Sequence, residues 1–255
     1  MSDDDAKKFV KKLAEFYYQW EKFDQAEIWC RLLLQQNERS LGKLHETTLK
    51  SASELADVLY QQDKTIESGS MYVEIIERSR SLLGDNHSST IKAFQGYSEV
   101  LATQGKPFGA LHWQQKAVQG RLRTLGDENL ETWTSIEHLA ARLTNLNRYP
   151  EAEALYLQAL PNIEQSCGIQ SRYFLDVARD FGTMFERRHD FAQAEEWYQH
   201  VVIGCEIASG LRDKSTNLYE QWITLLEFST ESANTLTLKS SVGIMVCEGS
   251  IFGEG

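Results

Sequence analysis

The pair Leu41-Gly42 recurs as Leu83-Gly84 and Leu125-Gly126, and in weaker form as Cys167-Gly168 and Ser209-Gly210, so that five glycines stand 42 residues apart. A fixed period of this size marks stacked supersecondary units, each burying its apolar face against its neighbours. It rules out a single globule wound around one centre. Each interval holds two amphipathic runs. In residues 6–20 the apolar positions Phe9, Val10, Leu13, Phe16, Tyr17 and Trp20 keep helical spacing, and a second helix follows over about 24–39. The pair recurs at 46–62 and 65–82, 88–104 and 107–124, 130–146 and 149–165, and 171–188 and 191–208. A last first-type helix is expected at 215–229. The spacing predicts an all-α chain of five and a half antiparallel helical hairpins, with units at about 6–40, 46–82, 88–124, 130–165 and 171–208 and a half unit at 215–229. Together these make one solenoid over 1–230, followed by an irregular tail over 231–255.

The aligned columns say how the hairpins pack. Each first helix sets a small residue (Ala14, Ala56, Ser98, Ala140, Gly182) beside a large one (Leu13, Leu55, Tyr97, Leu139, Phe181). The small side chain lets two backbones approach, and its neighbour fills the groove. Second helices have a matching column, Ala26, Ser68, Ala110, Ala152 and Ala194, with Trp29, Met71, Trp113, Leu155 and Trp197 three residues on. The shared register of Trp29, Trp113 and Trp197 assigns them to packing rather than to a stacking platform for ligands. The glycines suit helix C-termini, where the chain adopts a left-handed backbone. Thr48, Thr90, Thr132 and Thr216 fall where the next helix begins, placed to satisfy orphan N–H groups.

Composition excludes several functions. A net charge of -11 opposes nucleic acid as the main partner, because phosphate binding wants a basic face. The 4 cysteines form no CxxC pair, and Cys30 occupies a column filled elsewhere by Tyr72, Tyr156 and Tyr198, which reads as a buried thiol in a reducing compartment. No apolar run is long enough to span a bilayer and the start MSDDDAKK is unlike a signal peptide, so the expected location is cytoplasmic, with no membrane partner. His45-Glu46 opens like a zinc-binding HExxH, but Leu49 stands where the second ligand belongs. His45 and His87, with Asn129 in the third copy, are expected to hydrogen-bond at the helix start. Glu137-His138 reads as a solvated pair on a polar face. No phosphate-cradling glycine loop is present, and no enzyme, cofactor or metal site is expected.

The run LGxxHxxTLxSxxxLAxxLxxQxK at 41–64, followed by an aromatic-x-x-A-E helix such as NLNRYPEAEALYLQAL, resembles the tetratricopeptide repeats of the kinesin light chain class. Similar repeats occur at the C-terminal ends of large fungal and bacterial receptor-like proteins. A HEAT or armadillo array has a comparable period, but the paired small columns and the Leu-Gly loop favour tetratricopeptide repeats. The resemblance implies a right-handed solenoid whose first helices line a groove for a peptide or a partner helix. The columns facing that groove are then Lys8, Lys50, Lys92 and Thr134 near the helix start, Lys12, Glu54, Gly96, His138 and Trp222 deeper, and Glu15, Asp57, Glu99 and Ala141 one turn on. Kinesin light chains often carry asparagine in the middle of these columns, and this chain has none there. It also lacks the heptad segment expected of a complete kinesin light chain. The basic column Lys8, Lys50, Lys92 and the acidic column Glu15, Asp57, Glu99 read as a docking track for a segment with charges of both signs. The function expected is a non-catalytic scaffold or adaptor for a protein or peptide ligand. The alternative is an assembly module that associates, as a homo-oligomer for instance, through the apolar C-terminal end around Trp222.

Overall fold

The computed structural model describes residues 3–209. Among them are ten α-helices and no strand: α1 (Asp3–Gln19), α2 (Phe23–Leu41), α3 (Glu46–Gln61), α4 (Thr65–Leu83), α5 (Ser88–Thr103), α6 (Pro107–Leu125), α7 (Leu130–Asn145), α8 (Tyr149–Cys167), α9 (Arg172–Arg187) and α10 (Phe191–Ser209). The expected helix at 215–229, with Trp222 and Thr216, and the tail 231–255 lie outside the described residues. The chain forms two compact units, Met1–Arg148 with α1 to α7 and Tyr149–Gly255 with α8 to α10. In the first, each helix packs on the next and α3 also meets α5; in the second, α9 packs on both α8 and α10. The architecture is an α-solenoid of helical hairpins.

Two kinds of link join the helices. Between hairpins, Gly42, Gly84 and Gly126 take φ of 85°, 85° and 79° with an extended ψ. A Cβ at any of them would meet nothing within 4 Å, so the backbone conformation, and not crowding, calls for glycine. The next helix is then capped by a side chain: His45 and His87 accept through Nδ1 from the N–H groups of Thr47 and Ser89, at 3.2 and 3.3 Å, and Asn129 accepts from Glu131 at 2.8 Å. The helix-start role expected of these three is therefore what they perform. The threonines do something other than cap. Thr48 and Thr132 already lie inside their helices, and their hydroxyls donate back to the carbonyls of Gly42 and Gly126 at 2.8 and 2.7 Å, tying the loop to the helix. Within each hairpin the turn needs one left-handed residue, at Glu21, Asp63, Gly105, Asn147 and His189, with φ from 55° to 70°. This column repeats every 42 residues as well, but only one member is glycine, so composition conceals it.

The small columns are buried as their register requires. Ala56, Ser98, Ala140, Ala26, Ser68 and Ala110 all have 0% exposure. Where serine replaces alanine, its hydroxyl is absorbed by the facing backbone: Ser68 donates to the Ala56 carbonyl and Ser98 to that of Ala110, each at 2.8 Å. Around these approaches Cys30, Leu55, Val58 and Leu59 form one core cluster and Tyr72, Ile75, Ile91 and Phe94 another, with Trp29 and Trp113 packed at the edges. Burial pushes the Cys30 thiol up to about 12, so it stays protonated and inert. Polar contacts recur at one height of the joints between hairpins: Asn37 donates to Ser51 at 2.8 Å, and Arg121 donates to Ser135 in the same register. In the second unit Phe181 sits at the centre of an aromatic cluster, with ring centroids 4.9 Å from Tyr156 and 4.8 Å from both Phe185 and Trp197. No described helix is long and apolar enough to cross a membrane.

Candidate functional site: the face of the first helices

In the first unit, α1, α3, α5 and α7 stand side by side and share a face. Neighbouring helices touch there through residues 43 apart, one more than the repeat: Lys11 with Glu54 at 3.9 Å, Tyr60 with Thr103 at 2.9 Å, Gln95 with His138 at 3.0 Å, and Glu99 with Arg142. The extra residue comes from the tilt of one helix against the next. Column reading along the repeat sees each residue's equivalents, and therefore misses these contacts.

The two charged columns fare differently on this face. Lys8 and Lys92 are exposed, and neither makes a hydrogen bond or ion pair with another described residue. Lys50 pairs with Glu46 on its own helix at 2.8 Å, with both side chains open to solvent. The acidic column is engaged throughout. Glu15 lies 3.7 Å from Lys11, Asp57 accepts from the hydroxyl of Tyr72, and Glu99 is held by Arg142 and His138. On this face the basic side of the expected track is presented, whereas Asp57 and Glu99 are held by the protein's own donors and Glu15 has only an exposed pair with Lys11. Tyr72 can reach Asp57 because Gly96 has no side chain; a Cβ there would overlap the phenol ring. In an ordinary helix, Gly→Ala stabilises by about 1 kcal/mol. Here Gly96→Ala should instead lower the urea midpoint, and in a Tyr72→Ala background the same change should raise it. A plain gain in the wild-type background would show that the ring can retreat.

The densest polar cluster joins α5, α6 and α7. Nδ1 of His138 lies 3.1 Å from Glu99 and 3.0 Å from the Gln95 amide, while Nε2 faces Glu137 at 3.4 Å. Gln95 in turn accepts from Arg121 at 2.6 Å. Burial alone would raise the Glu99 carboxyl, but the His138 hydrogen bond and the Arg142 charge override it and hold the group at about 2. Burial would likewise lower His138, yet the hydrogen bond to Glu99 and the charges of Glu137 and Glu99 move it above its ordinary value. Charged, the ring donates Nδ1–H to Glu99; neutral, Nδ1 is free to accept from Gln95. Glu137 is only 5% exposed, so Glu137-His138 is part of this joint and not the solvated pair expected. Among the candidate residues, then, Glu99 and His138 are brought together, Asp57 is tied to Tyr72, and Glu54 lies beside Lys11, while Lys8, Lys12, Lys50 and Lys92 remain presented. No group of three or more His, Cys, Asp or Glu among the described residues could hold a metal ion.

Residues 48–89, 98–131 and 132–170 each match the tetratricopeptide repeat family. These segments are tetratricopeptide repeats. Within that class the chain's solved structural neighbours include kinesin light chain-like arrays. One is a putative kinesin light chain of Podosopora anserina with nearly identical TPR-like repeats, with a TM-score of 0.67 at 17% identity over 84% of this chain and 100% of that one. Another is BtubC (BKLC) from P. vanneervenii, with a TM-score of 0.62 at 14% identity over 96% and 94% of the two chains. Outside the kinesin light chain-like arrays, a Rap protein complexed with competence and sporulation factor has a TM-score of 0.59 at 13% identity over 91% of this chain and 67% of that one. At such identities the likeness is one of fold. No curated protein matches the chain in sequence.

Proposed function

We propose that the chain is a non-catalytic interaction scaffold that takes an anionic protein segment on the face of α1, α3, α5 and α7. One observation carries this reading: Lys8 and Lys92 are exposed and make no hydrogen bond or ion pair with another described residue, whereas Asp57 and Glu99 of the neighbouring column are held by Tyr72, His138 and Arg142. Lys50 adds to the basic line, because an exposed pair such as Lys50–Glu46 contributes little and exchanges readily. The fold shared with a Rap protein complexed with competence and sporulation factor supports use as a binding surface. The cluster around His138 holds α5 to α7 in place and so fixes the spacing of the face.

Selection of peptides from a random library against the full chain tests this directly. The enriched peptides should be acidic. Their affinity for Lys50→Glu with Lys92→Glu should drop by about tenfold or more, with a flatter salt dependence, because charges at the rim set encounter and register. Thermal stability should hardly change, since both lysines are exposed. Enrichment of apolar or basic peptides, or unchanged affinity in the double variant at low salt, would move the working surface elsewhere.

A further inference from the structure

The outer side of α1 has a feature that the groove does not use. Phe9, Phe16 and Trp20 are 56%, 51% and 65% exposed and, at spacings of seven and four, fall on one line of the helix. In the repeat register these are the positions by which an inner first helix meets the second helix before it. Their equivalents in α3 are Ser51, Val58 and Gln62; in α5 they are Ala93, Val100 and Gln104. Ser51 accepts from Asn37, Gln62 donates to Asp24 at 2.9 Å, Gln104 donates to the Thr65 carbonyl at 2.9 Å, and Val58 and Val100 are buried at 1% and 0%. The line on α1 is therefore the stacking surface of the fold, with its hydrogen-bonding residues replaced by aromatic ones. Phe9 stands where α3, α5 and α7 carry serine or alanine, and its bulk would hold a second-type helix away from the close approach those joints use. The face is suited to a different occupant.

We propose that this face pairs with the same face of a second copy, the two α1 helices running antiparallel about a two-fold axis. Charge selects this partner. Along the flank of the aromatic line run Lys8, Lys12, Glu15 and Gln19, basic in the N-terminal half and acidic or neutral in the C-terminal half. A two-fold axis crossing near residue 14 brings the same flank of both helices together with the direction reversed. Lys12 then meets Glu15 of the second copy, Lys8 meets its Gln19, and Phe9 meets its Trp20. Every contact occurs twice, as an isologous interface requires. In a parallel pair the two-fold axis would run along the helices and leave the two charged flanks on opposite sides of the interface, where they could not pair. The exposed portions of the three rings amount to roughly 300 Å² per copy, well under the area of a standard stable interface, so the dimer is a weak one. The proposal shares Lys8, Lys12 and Glu15 with the groove face, but the groove reading is tested at Lys50 and Lys92 of α3 and α5, so the two can fail separately.

Sedimentation equilibrium of the full chain tests the proposal, from about 1 to about 500 µM at low salt. The wild-type mass should climb from 29.2 kDa towards twice that value. Phe16→Glu with Trp20→Glu should remain monomeric throughout. Lys12→Glu and Glu15→Lys should each weaken dimerisation, by roughly threefold to thirtyfold for the two symmetric contacts. The combined swap should restore it, an outcome that neither misfolding nor general loss of charge would give. A wild type that stays monomeric overturns the proposal, as does one that associates equally well with the aromatic pair replaced. Persistent dimers without rescue by the swap overturn the antiparallel geometry. A monomer that instead sediments with phosphatidylserine vesicles, and loses this with Phe16→Glu, assigns the face to a lipid surface.

Discussion

Replacing Glu99 with glutamine should destabilise the first unit by about 2 kcal/mol near pH 5.5 and flatten its stability profile on both sides of that pH. The carboxylate on α5 is the common acceptor of Arg142 and His138, and without its charge these two partly buried cations stand one turn apart on α7 with no anion facing them from α5. The sign of the pH dependence follows from the two shifts. Glu99 is held at about 2, below its ordinary 4.5, so its contribution is present above about pH 4.5 and is lost as pH falls through about 2. His138 is raised above 6.5, so its contribution is complete below pH 6.5 and is lost as pH rises through its folded value. The two overlap between pH 4.5 and 6.5, where urea midpoints of the wild type should be highest. The Glu99→Gln variant should lose the acid limb, and Glu137 alone should leave a smaller alkaline one. Identical profiles for variant and wild type would mean that the network forms without holding the joint.

The second large effect is expected at Ala140 of α7, which is fully buried. Ala140→Phe adds a ring at a site of backbone approach and should cost on the order of 1–3 kcal/mol, with thermal unfolding as the readout. Ala141→Phe, one residue on and half-buried on the open face, is the control and should cost little. Equal stability of Ala140→Phe and wild type would mean that the small column does not set the helix spacing.

The difference between these two sites explains what could be read from the sequence. Ala140 was legible because every hairpin meets the same steric demand, so Ala14, Ala56, Ser98 and Gly182 repeat the answer. The glycine loops were legible for the same reason, since φ near 85° with extended ψ leaves few alternatives. Glu99, Arg142, Gln95 and Arg121 were not, because their cluster occurs once and its contacts fall 43 or 26 residues apart, off the repeat. Thr48 departed from its expected capping role, which His45 alone fills, because both can bond at a helix start and the choice depends on which residue remains outside the helix. The turn at Glu21, Asp63, Asn147 and His189 was hidden by residues that tolerate a left-handed backbone without advertising it. On the groove face, residue type predicted which side chains are charged but could not show that Tyr72 and Arg142 would already occupy the acidic ones.

The glycine loops also bear on how such a chain can change length. Gly42 and Gly84 present the same conformation and are followed by the same histidine cap, so residues 43–84 could be duplicated or excised with both new junctions already shaped to fit. The segment 85–126 has the same outer geometry, but it carries Gln95, Glu99 and Arg121, half of a joint whose other half is His138, Ser135 and Arg142. Excising it would bring Asp57 into the register of Glu99 opposite Arg142, while Ser53 would take the place of Gln95 opposite His138. Identical ends therefore make the hairpins exchangeable as lengths of chain, whereas their charged seams give each boundary a mate of its own.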